Sequence, residues 1–218
     1  IYLTEEEIAA IEAKSEPEFL ETDTSLISIP TEPAEDMQQE DVGPVADAWG
    51  LIDEDGDGII VEEIHNDGYN GYMMVVLDPS RVIMGCVPQS FEHKGYTVAQ
   101  MVEKFGAVAG INAGGFVDID GSGDGSTPDS MVVFKGTVYY NSNRNGFAGF
   151  DKNHILHVGD LSASDIRKRE IQYGACFGPV LISNGEPNTS LKSGLNPRTA
   201  IGQRSDGAVL LLVINGRQ

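Results

Sequence analysis

Basic charge is scarce in this chain: 14 lysines and arginines face 34 aspartates and glutamates, a formal net charge of −20 over 218 residues. Polyanion binding needs a basic surface that releases counterions, so a nucleic-acid partner is not expected. The shortage is uneven. Residues 1–67 hold 21 acidic residues against one basic residue, Lys14, and the remainder is balanced at 13 of each. Long apolar runs are missing too, since none approaches the roughly 20 residues of a membrane-spanning helix. There is no signal-peptide pattern, and the chain opens on Ile1 instead of Met, so a trimmed start is expected. With only Cys86 and Cys176, cysteine count cannot tell an extracytoplasmic disulfide from two buried thiols. Cys86 follows a strand-like run, as a packed small hydrophobe would, which favours thiols. His65, His93, His154 and His157 show no metal-ligand spacing, and His154 and His157, flanking a two-residue apolar step, are expected at the surface.

The length suits one large domain with an appendage. Residues 1–67 read as an acidic N-terminal helix, arm and first strand, and residues 68–218 as the main domain. Thr4 and Glu7 form a capping box, and Leu3 with Ile8 a hydrophobic staple, for a short helix from Leu3 to Ala13. From Ser15 to Val45 the chain is rich in Glu, Asp, Pro and Thr, the composition of an extended arm. Asp53–Gly58, DEDGDG, resembles the start of a calcium loop. Ile64 stands where the bidentate glutamate belongs, however, and Ile59-Ile60-Val61 follow directly, so a turn entering a strand is preferred. Asp118–Asp129, DIDGSGDGSTPD, fits that spacing better, with Asp118, Asp120, Ser122 and Asp129 as candidate metal ligands. Gly125 stands where an apolar residue belongs and no helix pattern flanks the stretch, so a flexible glycine-rich loop is preferred there.

Strand-like runs at Tyr72–Leu77 and Arg81–Met84 flank Asp78-Pro79-Ser80, predicting a hairpin. Thr97 and Gln100 form a capping box, Val98, Met101, Val102 and Phe105 make an apolar stripe, and Gly106 supplies a stop, which together predict a helix. Further strands are predicted at 131–134 and 137–140 around Lys135-Gly136, at 147–150 and 155–158 around Lys152-Asn153, and near Asn184-Gly185. Ser162 and Asp165 cap a short helix whose Arg167, Lys168 and Arg169 read as solvated surface. The apolar run from Ala107 into GINAGGF, Gly110–Phe116, reads as a buried strand leaving a sheet edge, where open sheets place their sites. Arg198, after Pro197, offers a bidentate fork suited to phosphate or carboxylate, or to a structural partner.

GINAGGF, GFAGFD at 146–151, FGPVLISNGEP at 177–187, and NPRTAIG with LLLVINGR over 196–217 together resemble the phosphodiester glycosidase family. The ordered series spans roughly residues 69–217. The resemblance implies a secreted or surface-attached hydrolase that releases a sugar from a sugar-1-phosphate diester; bacterial members of the family are often linked with exopolysaccharide or cell-wall glycans. It places Asn112, Gly114, Gly115 and Phe116 on the family's strand-end loop, Gly178 and Pro179 on its glycine-proline turn, and Arg198 and Thr199 on its Pro-Arg-Thr motif. Phosphate is a good leaving group, so the chemistry calls for diester binding and an oxocarbenium-stabilising site. Arg198 would clamp the phosphate, amides around Gly114 and Gly115 would add donors, Asn112 would bind sugar or phosphate, and Asp118 is the candidate acid/base. No cofactor is required, and calcium is possible. The implied fold is α+β, a mixed or largely antiparallel sheet with a few flanking helices. The family continues beyond the point where this chain ends, with a helix and a strand closing on an Asp-Gly-Gly-Ser-like motif. A further C-terminal segment is therefore expected, as a separate chain or from a partner copy. The rival reading is a non-catalytic, calcium-dependent carbohydrate-binding or adhesion module.

Overall fold

Turn chemistry sets much of the strand order. Lys135 and Gly136 take positive φ and close β3 (Val132–Phe134) onto β4 (Thr137–Tyr139), and Asn184-Gly185 does the same for β8 (Ile182–Ser183) and β9 (Glu186–Pro187). The computed structural model of the protein describes residues 21–30, 44, 46–141, 146–191 and 198–215. The helix expected over 3–13 and most of the acidic arm lie outside the described residues.

Every described strand pairing is antiparallel. One sheet contains β1 (Ile59–Asn66), β2 (Tyr69–Val76), β11 (Val209–Asn215) and β10 (Arg198–Gln203), in that order. A second contains β4, β3, β7 (Ile171–Cys176), β5 (Phe147–Asp151) and β6 (Leu156–Gly159). DEDGDG forms the expected turn into β1: the Asp53 carboxylate accepts from the Gly56 and Gly58 amides at 3.0 and 2.9 Å. The α1 helix (Val98–Phe105) carries the Thr97–Gln100 capping box and ends on Gly106 at φ 62°, as predicted. The α2 helix (Ala163–Lys168) likewise starts on the Ser162–Asp165 box.

Two expectations fail. Asp78-Pro79-Ser80 does not join a hairpin. It opens a 3₁₀ turn in which Asp78 accepts from the Ser80 amide, and residues 82–84 enter no strand. Instead β2 pairs with β1 across Asp67-Gly68 and, on its other edge, with β11. β11 thus has a neighbour on each side, β2 and β10. The run at 107–111 is not a buried strand either: it enters no ladder, and Val108 is 79 % exposed. A short apolar run has no period that tells strand from irregular chain.

The two sheets face each other through Val76, Val209 and Leu211 on one side and Phe150 and Leu156 on the other. The outer face of the second sheet is covered by α2, with Phe147, Val133 and Met131 packed on Ile166. The ring of Phe147 lies over the cross-strand pair Gly149–Gly174, and a Cβ on either glycine would run into it. Cys86 and Cys176 are both buried, in different parts of this core, and no disulfide joins them. Burial pushes the Cys86 thiol up to about 11. Neither thiol should react with a disulfide reagent at pH 8 until denaturant is added, when both should titrate. A thiol that reacts within seconds in the native protein would contradict this packing.

Candidate active site

The strand-end loop is built by a short fold-back. The Val117 amide donates to Thr127 O at 2.8 Å, Phe116 bridges Pro128, and the Asp129 amide donates to Gly115 O at 3.3 Å. Between these contacts the 118–126 loop closes on itself. The Asp118 carboxylate accepts from the Gly123 amide at 2.7 Å, and the Ser122 hydroxyl donates to Ile119 O at 2.8 Å. Asp118 therefore serves as an exposed turn anchor here, and Ser122 points back to its own turn. Among the described residues, the one group of three His, Cys, Asp or Glu ligand atoms within 4.8 Å is Asp53, Asp55 and Asp57. Asp118, Asp120 and Asp129 form no such group.

Three sequence-distant stretches meet at this loop. On β10, Thr199 pairs with Val213, and its hydroxyl donates to Asn112 Oδ1 at 3.2 Å and to Asn112 O at 3.5 Å. Gly114, at φ 71°, lies against the end of β7, where an added Cβ would stand 3.4 Å from Ala175 Cβ and 3.7 Å from Cys176 O. From Cys176 the chain runs directly into exposed Gly178 and Pro179, joined by a cis peptide. Asn112, Gly114 and Thr199 are thus brought together, with Gly178-Pro179 next to them along the chain. Arg198 opens β10 opposite Ile214 with an exposed side chain, and strand alternation assigns it to the sheet face opposite that of Thr199. A shallow apolar groove lies beside the loop, lined by Val61, Tyr72, Ile111, Leu211 and Val213.

Gly115 is tightly hemmed in. A Cβ there would lie 2.7 and 2.8 Å from the two Asp129 carboxylate oxygens. Gly115 does not have positive φ, so its backbone makes no demand for glycine and the nearby carboxylate does. The Ser130 hydroxyl, on a buried residue, donates to Asp129 Oδ1 at 2.6 Å. On sequence Asp129 stood only among possible metal ligands, because its neighbour Gly115 lies fourteen positions back and no spacing rule links them.

Two groups read as surface from sequence, His157 and Arg169, are not. His157 is buried and not on the surface: its Nε2 lies 3.1 Å from Asp151 Oδ2, and the Arg169 guanidinium approaches its Nδ1 at 3.5 Å. Burial pushes Asp151 up, but His157 and the amides of Ile155 and Asn153 outweigh it and hold the carboxyl below its usual range. Arg169 is also mostly buried, and pairs with Glu21 at 2.7 Å; its Nε has no hydrogen-bond partner among the described residues. Arg204 joins Asp47 and Asp206 at 2.7 and 2.5 Å and stacks on Trp49 at 3.9 Å. These groups tie residues 21 and 47–49 to the sheets.

The sequence model of the phosphodiester glycosidase family matches residues 105–218. No curated protein matches the chain. Among solved structures, the catalytic domain of zebrafish N-acetylglucosamine-1-phosphodiester alpha-N-acetylglucosaminidase, auto-inhibited by its pro-peptide, is similar in fold at a TM-score of 0.54 and 21% identity. The similarity covers 73% of this chain and 60% of that one, so the chain spans less than two thirds of the zebrafish structure.

Proposed function

The chain belongs to the phosphodiester glycosidase family, and we propose that it hydrolyses a sugar-1-phosphate diester, releasing the sugar and leaving a phosphomonoester. The observation that supports this most directly is the meeting of Asn112 with Thr199, beside Gly114 packed on the end of β7, because it gathers the family's separate motifs at one loop. The zebrafish relative is named for cleaving N-acetylglucosamine-1-phosphodiesters, and a diester of that class is the first substrate to try. The setting we propose is extracellular or at the cell surface, on a surface glycan or exopolysaccharide, with the acidic residues 1–67 supplying an N-terminal helix, an arm and the first strand, β1, of an α+β fold. Because the phosphate departs readily, the chain's main tasks are to hold the diester oxygens and to stabilise the oxocarbenium-like centre. Exposed Asn112 and the amides near Gly114 are suited to the first task. The reaction needs no cofactor in this proposal.

The test is release of free sugar from a panel of sugar-1-phosphate diesters by the purified protein, in chelator and in calcium. Turnover in both is expected. Calcium-dependent glycan binding with no sugar released from any diester would favour a carbohydrate-binding module. Turnover lost in chelator and restored by calcium would reopen the Asp118, Asp120, Ser122 and Asp129 set as a metal site.

Arg198 is proposed as the phosphate clamp: it opens β10 one residue before Thr199 on the opposite sheet face, so its long side chain would curl round the strand end to reach the diester. Arg198→Lys keeps the charge and loses the fork, and should cost about 2 kcal/mol of transition-state stabilisation, roughly 30-fold in kcat/KM. Thermal stability should hardly change, since the side chain is exposed. Equal activity in variant and wild type would remove Arg198 from the site.

A further inference from the structure

We propose that Asp129, and not Asp118, is the carboxylate that acts on the reacting water at this site. The inference rests on the glycosidase reading above and assigns the base within it. Of the two aspartates that bound the 118–129 loop, Asp118 is engaged in closing that loop on Gly123. Asp129 is turned the other way, onto the strand-end loop that carries Asn112, Gly114 and Gly115. Both its oxygens lie so close to Gly115 that no side chain fits between them. Two backbone contacts, Asp129 to Gly115 and Val117 to Thr127, hold the carboxylate in that position, and the Ser130 hydroxyl orients one oxygen. A half-buried carboxylate fixed by a hydroxyl and two backbone links meets the positioning requirement for general-base catalysis.

The step balances without a cofactor. A water oxygen bonds to the anomeric carbon as the bond from that carbon to the phosphate oxygen breaks, its electron pair leaving with the phosphate. The water's proton passes to the Asp129 carboxylate and from there to solvent. Glycine at 115 is then explained as the residue that lets the carboxylate reach the loop surface.

The experiment uses the full chain and a sugar-1-phosphate diester that the wild type turns over, with Asp129→Asn and Asp129→Ala. Asp129→Asn keeps the shape and the Ser130 contact, so it should lower kcat about 100-fold with little change in KM and a melting temperature close to wild type. Asp129→Ala should be just as slow, and added formate, a small carboxylate able to enter the vacated space, should restore turnover several-fold. A purely structural role would not respond to formate. Asp129→Asn that keeps most of the wild-type kcat, or a loss in Asp129→Ala that formate does not restore, overturns the assignment while leaving the glycosidase reading in place. A wild type that releases sugar from no diester overturns both.

Discussion

Phe147→Ala should be the most destabilising single change in the described core, costing about 3–5 kcal/mol. The side chain has no exposed surface and sits among Met131, Val133, Ile166 and Ile171. Truncation removes its buried area and leaves a void that cannot collapse easily, because two glycines, Gly149 and Gly174, form the floor beneath the ring and have no side chains to move into it. Against a total stability of about 5–15 kcal/mol, that loss is a large fraction. Urea unfolding would show it as a lower midpoint at unchanged slope. A shift worth less than about 1 kcal/mol would mean that the ring is not the centre of that layer.

Gly115→Ala should abolish most activity while leaving the fold intact. The added methyl would overlap the Asp129 carboxylate, and either the carboxylate or the 112–116 loop must give way. A displacement on the order of 1 Å at such a site costs about 100-fold in rate. Stability should fall much less, since the loop is exposed and the backbone at Gly115 suits any residue. The measurement is kcat/KM beside a melting curve. Full activity in this variant would show that the Gly115–Asp129 contact has no part in turnover, and would count against Asp129 as well.

What was legible in the sequence was local chemistry. The Thr97–Gln100 box, Gly106, Lys135-Gly136, Asn184-Gly185 and the Ser162–Asp165 box each fix a few dihedrals through contacts within five residues, and each forms as expected. Partner choice over long separations was not legible. Tyr69–Val76 is apolar enough to pair with anything, and the competition between a nearby run at 81–84 and the distant β11 is settled by which sheet then packs on Phe150 and Leu156. The site divides the same way. GINAGGF and PRT marked the loop and the strand, and Asn112 does meet Thr199. The contact of Asp129 with Gly115 arises only from the fold-back at 127–129. His157 appeared polar and peripheral because its burial depends on Asp151 and Arg169, which no periodicity connects to it.

The pairing of β2 with β11 also bears on how the chain is made. Val76 must wait for Val209, so the hairpin of β1 and β2 leaves the ribosome well before the strand that flanks it exists. At about 5–20 residues per second the delay is roughly 7–27 s, longer than a hairpin takes to form by many orders of magnitude. During that interval one edge of β2 is unpaired and the apolar residues Met74, Val75 and Val76 lack the part of their native cover that comes from the later strands, a state open to chaperones and to other nascent chains. Ribosome-bound chains halted before Val209 should therefore be captured by a hydrophobic-binding chaperone, and chains long enough to present all of β11 should escape it.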